Sequence, residues 1–270
     1  MRTDATEDAG LRPPACAGDS RFMVPRALTP VGVALVDKPA GPSSFAIVAA
    51  LRRRTRARTG HAGTLDPFAT GLLVLLSGAA TRLGPCFVGL DKRYVTDVDL
   101  TSTTSTADPE GEQLEQHGAP AQRELEEALA RLRGEVELPI PAASAVKIGG
   151  ERAYKLARRG VVVEMPVRRS LVHSLDVITY TGESVQLALH VSSGTYVRSI
   201  AQALGGHCTT LRRTAVGPFD VGESADVDHA VLLPASEALA RLPAEALDRV
   251  PDAIRAGVLA LDEPSGGAAA

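Results

Sequence analysis

The sequence has few of the residues that build large aromatic clusters, disulfide frameworks or membrane spans. Its 270 residues include no Trp, five Phe and four Tyr, so each Tyr is a candidate for a specific task such as ring stacking. Cys16, Cys86 and Cys208 are widely spaced, which predicts free thiols in a reducing compartment. No apolar stretch could span a bilayer, and the polar, Pro-rich start lacks the apolar segment of a signal peptide. We therefore expect a cytoplasmic protein without a membrane partner.

Motifs for nucleotide and metal binding are also missing. The chain has neither GxGxxG nor GxxxxGK[ST], so no nucleotide cofactor is implied. No histidine pair or acidic cluster stands at ligand spacing, which predicts no metal site. No Ser or Cys stands beside an evident base, and this leaves an aspartate as the candidate nucleophile or base.

Charge is distributed unevenly, although the net charge is only −3. Residues 221–270 hold nine acidic residues against three arginines. Basic residues cluster in the middle of the chain, with five arginines in residues 52–58 and seven basic residues in residues 147–169. Such patches are typical of a polyanion-binding protein, because phosphate contacts supply affinity independent of sequence. A solvated, arginine-rich surface is the alternative.

The order of predicted strands and helices favours an α+β fold, because no regular strand–helix–strand repeat is present. We expect a disordered tail over 1–30, a main domain over 31–220 and a short acidic segment over 221–270. A basic insert over about 139–169 is predicted to form a strand, a turn at Gly149-Gly150 and a helix near 151–159. It carries few large apolar residues and could close over a ligand.

The segment GHAGTLDPFATG, residues 60–71, presents one carboxylate, Asp66, on a loop with three glycines. Glycine permits tight backbone paths and close approach by a ligand, and Pro67 fixes φ just after the acid. The apolar run 72–76 follows at once and is expected to be buried, holding the loop firmly. This arrangement suits a catalytic acid, and ordinary turn chemistry is the alternative.

Three further segments carry candidate chemistry: Lys38-Pro39, residues 91–94 and residues 194–198. Together with Asp66 they would supply a carboxylate that is oriented by an arginine and faces an aromatic ring. This combination suits a reaction on a planar heterocycle that the protein has removed from a stack of bases. A glycoside hydrolase would need a second carboxylate at a matched distance, and no motif supplies one.

At these segments the sequence resembles the tRNA pseudouridine synthase B family. Seven motifs stand in the family's order: residues 36–44, 60–71, 91–94, 144–147, 152–154, 194–198 and 211–219. The resemblance implies a central mixed, largely antiparallel β-sheet flanked by helices, an inserted thumb loop and a short C-terminal remnant of a PUA-like region. It also implies conversion of uridine 55 to pseudouridine in the T stem-loop of tRNA, without cofactor or metal. We expect a monomer.

The resemblance assigns roles residue by residue. Asp66 matches the essential aspartate, which breaks the glycosidic bond by attacking the sugar or the base, or by taking a sugar proton. Arg198 matches the arginine that pairs with it, and such pairing is expected to lower the pKa of the carboxylate. Tyr94 matches the tyrosine that stacks on the flipped uracil and is a candidate for removing the carbon-5 proton. His61 matches the residue that fills the gap left by the flipped base, and Tyr196 would line the pocket.

Further residues are assigned to substrate and RNA binding. Lys38 and Leu211 complete the set of substrate-binding residues. The alternative for Lys38 is a solvated charge at the end of a strand, and the alternative for Tyr196 is packing in the core. The thumb supplies the RNA-binding residues Lys147, Arg152, Lys155, Arg158 and Arg159. Arg212 and Arg213 are expected to make phosphate or surface contacts.

Two departures from the family pattern occur near these motifs. Ala143 stands where an aromatic residue is usual, which predicts looser thumb packing, and Ser105 replaces the usual acid of a Thr-Asp-Thr turn. A non-catalytic tRNA-binding or folding protein, and a pseudouridine synthase with another RNA target, remain alternatives. The first would keep the arginine clusters but could lose Asp66 or Arg198, and both are present.

Overall fold

The computed structural model describes residues 30–144, 146–153, 159 and 164–261. The tail predicted for 1–30 therefore lies outside the described residues, except for its last position. Within the described ranges the chain forms these β-strands: β1 (Gly32–Lys38), β2 (Thr59–His61), β3 (Thr70–Ser77), β4 (Lys92–Asp99), β5 (Ser102–Thr104), β6 (Gln113–Gln116), β7 (Gly134–Pro139), β8 (Lys147–Ile148), β9 (Glu151–Arg152), β10 (Val167–Tyr180), β11 (Ser184–Val191), β12 (His207–Val216), β13 (Phe219–Asp220) and β14 (Leu232–Leu233).

Ten of these strands form one mixed sheet. Its order is β14-β1-β3-β12-β4-β11-β10-β7, with β2 paired to β3 and β13 paired to β12. The pairings are antiparallel except that of β3 with β12, which is parallel and sets Gly71 opposite Arg213. Gly71 has a φ of +100°, and an added Cβ would overlap the carbonyl oxygen of Arg213, so only glycine allows this approach. The predicted α+β fold with a largely antiparallel sheet is confirmed.

The described residues also form these α-helices: α1 (Ser44–Thr55), α2 (Gly84–Val88), α3 (Gln122–Arg131), α4 (Val197–Ala203), α5 (Ala235–Ala240), α6 (Ala244–Leu247) and α7 (Asp252–Leu259). Ser43 or Ser44, ahead of an apolar segment with helical spacing, predicts a helix cap, and α1 begins where Ser43 Oγ accepts a hydrogen bond from the Ala46 amide at 3.2 Å. None of the described helices combines the length and the apolar character needed to cross a membrane.

Apolar residues cover both faces of the sheet, because successive side chains of a strand point to opposite sides. On β1, Ala34 and Val36 belong to the first core, whereas Val33 and Leu35 belong to the second. The first core also includes residues of α1, α3 and α4, and the second includes residues of α2, α5 and α7. The predicted active-site segments meet at the first core.

The chain after Asp220 packs against the same sheet. Strand β14 pairs with β1, and Ala238 and Val258 from α5 and α7 lie in the second core. Arg54 of α1 donates a hydrogen bond of 2.7 Å to the Val227 carbonyl, which ties the first arginine cluster to this segment. The division of the chain at residue 221 stays a prediction, and residues 262–270 lie outside the described part.

Candidate active site

Lys38 supports the Asp66 loop from beneath. Its side chain is fully buried, and its ammonium donates to the carbonyls of Pro39, Pro67 and Ala69 at 2.9, 3.0 and 2.7 Å. An ammonium has three protons, so these bonds use all of them. Burial lowers the pKa of Lys38 to about 8, which the nearby Asp66 charge opposes. The structure thus gives Lys38 the task of positioning the loop, in place of the predicted substrate contact or solvated charge.

Ser44 and Arg213 hold the same loop at other points. Ser44 Oγ donates to the Leu65 carbonyl and accepts from the Leu65 amide, both at 2.8 Å, which fixes the residue just before Asp66. Arg213 is almost fully buried, and its guanidinium donates to the carbonyls of Leu72 at 2.7 Å and Gly63 at 3.1 Å. The predicted phosphate or surface contact of Arg213 is therefore wrong, because its donors are used inside the protein.

Asp66 and Arg198 form an ion pair at the centre of the site. Asp66 Oδ2 lies 2.9 Å from Arg198 Nε, and the Asp66 side chain is 32% exposed while that of Arg198 is 2% exposed. The Nε–H is not aligned as a hydrogen bond to any described acceptor, so charge attraction dominates this contact. One carboxylate is thereby presented to solvent by a cation that is itself enclosed.

Asp108 is a residue of the candidate site that the sequence reasoning missed. Its Oδ2 lies 2.9 Å from Arg198 Nη1, which also donates to the Thr106 carbonyl at 2.9 Å. Arg198 Nη2 donates to the Ala143 carbonyl at 2.9 Å, so this departure from the family pattern contacts Arg198 through its backbone. Asp108 is 3% exposed and does supply a second carboxylate, but it is enclosed and bonded to Arg198. It therefore suits a positioning task better than proton transfer to a leaving group.

The electrostatic balance at Asp66 differs from the sequence prediction. Burial raises the pKa of Asp66 above its ordinary value, and the negative charge of Asp108 acts in the same direction. Arg198 and Lys38 lower the pKa of Asp66, as pairing predicts, but the loss of hydration is the larger effect. The expectation of a lowered pKa is therefore corrected: the arginine limits the rise rather than reversing it.

The first core joins the segments that the sequence assigned to catalysis. Leu65, next to Asp66, lies in this cluster with Tyr94 of β4, Leu211 of β12 and Val197, the neighbour of Arg198. Tyr94 is 9% exposed and Leu211 is 6% exposed. Leu211 is thus mainly a core residue at the edge of the site.

Tyr196 and His61 lie at the ends of two elements. Tyr196 precedes α4, where its carbonyl accepts from the Ser199 amide at 3.1 Å, and its side chain is half-buried. His61 ends β2 and is also half-buried, and its Nδ1 has no hydrogen-bond partner among the described residues. Burial and the nearby Arg213 lower the pKa of His61, which favours the neutral ring.

Only part of the predicted RNA-binding thumb can be placed. Strands β8 and β9 form a small hairpin in which Lys147 pairs with Arg152, and Lys147 is exposed. Arg159 is exposed and forms an ion pair of 2.7 Å with Glu151. Lys155 and Arg158, together with most of the predicted basic helix, lie outside the described residues.

Lys92 is a second residue whose task becomes evident only in the structure. It is 5% exposed, and its ammonium donates to the Val88 carbonyl at 2.6 Å, the Leu90 carbonyl at 2.5 Å and Ser193 Oγ at 3.1 Å. Burial lowers the pKa of Lys92 to about 7. These bonds tie the start of β4, which carries Tyr94, to the turn that precedes Tyr196.

One group of potential metal ligands occurs in the described part of the chain. Asp91, His173 and His190 each hold a ligand atom within 4.8 Å of the other two, and none of them belongs to the Asp66–Arg198 pair. The sequence predicted no such cluster because the three residues are far apart along the chain. The sheet brings them together.

Comparison with known proteins agrees with the architecture. The sequence model described as TruB family pseudouridylate synthase (N terminal domain) matches residues 52–197. The chain is 38% identical over 236 residues to the tRNA pseudouridine synthase B of Azoarcus sp. (strain BH72), covering 84% of this chain and 73% of that protein. It is 42% identical over 231 residues to the protein of the same name from Leifsonia xyli subsp. xyli (strain CTCB07), covering 78% and 76%.

A solved structure supports the same conclusion. A chain from the crystal structure of a Cbf5-Nop10-Gar1 complex superposes with a TM-score of 0.56 at 28% identity, over 73% of this chain. The match spans about half of that chain, 54% of its length. Since the family model and relatives near 40% identity cover most of the sequence, this chain belongs to the TruB family of pseudouridylate synthases.

Proposed function

We propose that this protein converts uridine to pseudouridine at position 55 in the T loop of tRNA, with Asp66 as the catalytic carboxylate. The observation that carries this proposal is the ion pair between Asp66 and the enclosed Arg198, in a chain of the TruB family. The substrate follows from relatives that are named tRNA pseudouridine synthase B. We further propose that the protein acts as a cytoplasmic monomer and that catalysis requires no cofactor or metal.

The reaction exchanges one bond to the ribose for another. The bond from C1′ to N1 of uracil breaks, the base rotates, C1′ joins C5, the proton on C5 leaves and N1 takes up a proton, so the product is an isomer of the substrate. Asp66 starts this sequence by attacking the sugar or the base, or by taking a sugar proton. Each route requires the charged carboxylate, and Arg198 favours that form against the effect of burial. We assign Arg198 to aiming Asp66, and Asp108 to aiming Arg198.

Three ring-bearing residues serve base flipping in this proposal. Tyr94, enclosed at the first core beneath the loop, would stack on the extruded uracil and accept its C5 proton, and Tyr196 would line the same pocket. His61 is planar, half-buried and favoured in its neutral form, which suits insertion into the RNA stack. Stacking on an aromatic ring offsets part of the unstacking free energy, itself a few kcal/mol.

The direct test is conversion of an unmodified T stem-loop transcript. We expect the purified protein to form one pseudouridine, at the position corresponding to uridine 55, because the site presents a single candidate carboxylate, Asp66, to solvent. Carbodiimide treatment followed by primer extension locates the product. A transcript in which that uridine is replaced by cytidine is the control and should show no stop. Tight RNA binding without any product would favour the non-catalytic tRNA-binding alternative.

The thumb assignment predicts weaker and less salt-dependent RNA binding when its positive charges are removed. The variant Lys147→Ala, Lys155→Ala, Arg158→Ala should reduce the slope of log K against log salt by about one for each phosphate that the thumb no longer neutralises. Filter binding of the T stem-loop at several salt concentrations measures this slope.

Arg123→Ala provides the control for this charge effect. Arg123 is exposed on α3 and pairs only loosely with Glu127, at 3.7 Å, so its removal should leave the slope unchanged. If the triple variant and Arg123→Ala give the same slope, the thumb does not hold the RNA backbone.

A further inference from the structure

A cluster of two histidines and one aspartate lies at one end of the sheet. Asp91 Oδ2 is 3.0 Å from His173 Nε2 and 3.8 Å from His190 Nε2. The two imidazole rings have centroids 4.5 Å apart and are inclined by 33°. The three side chains are between 31% and 42% exposed, so the cluster is open to solvent.

A β-bulge brings the second histidine into this cluster. Val172 pairs with Val191 and Ser174 pairs with His190, so His173 is the extra residue between them. A bulge of this kind places two residues opposite one and redirects the extra side chain. His173 thereby reaches the aspartate that precedes β4, although β10 and β4 are separated by β11.

Two of the three separations between the ligand atoms bracket the value expected around a tetrahedral ion, and all three atoms lie within 4.8 Å of one another. Bonds of about 2.0 to 2.2 Å at tetrahedral angles hold the ligand atoms roughly 3.3 to 3.5 Å apart. The two distances measured from Asp91 Oδ2, 3.0 and 3.8 Å, lie on either side of this value. We propose that Asp91, His173 and His190 bind one divalent transition-metal ion of the zinc class, with water in the remaining position.

The chemistry of the ligands selects the kind of ion. Two imidazoles and one carboxylate suit Zn²⁺, Ni²⁺ or Co²⁺, whereas Mg²⁺ and Ca²⁺ require a shell made mainly of oxygen. Arg93 lies beside His190 across the β4–β11 pair, and its positive charge opposes binding. The carboxylate of Asp91 supplies the charge that offsets it.

The position of the cluster indicates a structural task. His190 alternates with Leu189 and Val191, which belong to the first core, so His190 points to the opposite face of the sheet from the core that holds Tyr94. A bound ion would join β10, β11 and the residue before β4, and would stabilise the native fold by mass action. It would take no part in the reaction at Asp66.

Metal titration of the untagged, chelator-treated protein tests the proposal. Calorimetry with ZnCl₂ should give one ion per chain, and a hundredfold excess over the dissociation constant should raise Tm by about 5 to 10 °C. MgCl₂ should give neither effect. Co²⁺ should give visible absorption bands, which report coordination rather than nonspecific adsorption. His173→Ala and His190→Ala should each lower the affinity at least about tenfold and abolish the bands.

His229→Ala is the matched control. His229 also pairs with an aspartate, Asp226, at 2.7 Å, but it does not belong to any group of three potential metal ligands among the described residues. It should keep the stoichiometry, the Tm shift and the Co²⁺ bands of the parent. The proposal is overturned if Zn²⁺ produces no more effect than Mg²⁺, or if His173→Ala and His190→Ala retain the parent's binding. The proposal is also overturned if these variants lower Tm by the same amount with and without Zn²⁺, because the cluster would then be only an ion pair.

Discussion

Asp66→Asn is expected to abolish pseudouridine formation while RNA binding persists. Asparagine preserves the shape of the side chain but removes the charge that nucleophilic attack or proton removal requires. Loss of one essential catalytic group reduces rates by on the order of 10⁴- to 10⁶-fold in other enzymes, and we expect a loss in that range. Single-turnover conversion of the T stem-loop, with its Kd measured on the same preparation, separates chemistry from binding.

The control for this variant is Asp176→Asn, which removes a charge from an exposed position on β10. It should convert RNA at the parental rate. The wild-type rate should also fall as the pH decreases through the raised pKa of Asp66, because protonation removes the required charge. The acidic limb of the profile therefore lies above the ordinary pKa of an aspartate. Full conversion by Asp66→Asn would contradict the assigned mechanism.

Arg198→Lys should lower kcat by about 10²-fold, the cost of a small misplacement of a catalytic group, with little change in RNA affinity. Lysine keeps the positive charge but lacks the planar fork of the guanidinium. It cannot hold Asp66, Asp108 and the Ala143 carbonyl at the same time, as Arg198 does at 2.9 Å to each. Single-turnover rates at saturating RNA measure the effect.

Arg241→Lys is the matched control, since Arg241 pairs with Glu223 at 2.7 Å and stacks on Phe219, away from the first core. It should leave kcat unchanged. A raised KM with an unaltered kcat in Arg198→Lys would mean that Arg198 binds substrate rather than aiming Asp66. The aiming role would then be rejected.

Much of the fold follows from local sequence patterns. Apolar and polar residues alternate over 185–191, a pattern that predicts a half-buried strand, and the apolar run 72–76 is expected to be buried. Strand β11 and the buried strand β3 confirm both expectations. The helix after Ser43 was also predicted, because its capping residue and apolar spacing act within a few residues of each other. Pairing order and the bulge at His173 were not predicted, since they depend on contacts between distant strands.

Some parts of the candidate site were likewise predictable from the sequence, and others were not. Asp66 and Arg198 were identified from motifs, and their 2.9 Å contact agrees with the pairing that the resemblance implied. Asp108 was missed because a lone acid in an irregular segment carries no local signal, although it lies 2.9 Å from Arg198. Lys38 was assigned to substrate binding and Arg213 to phosphate or surface contacts, since a sequence does not reveal which backbone carbonyls a buried cation will reach.

The sequence by itself determined the family and the α+β class, and it singled out the carboxylate that we propose as catalytic, because motif composition and order are written along the chain. Only the tertiary structure decided how that carboxylate is held. Burial, rather than Arg198, dominates the pKa of Asp66, and three enclosed side chains, Lys38, Ser44 and Arg213, hold its loop through backbone carbonyls. Desolvation and hydrogen bonding depend on distances between residues that are far apart in sequence, and folding alone sets those distances.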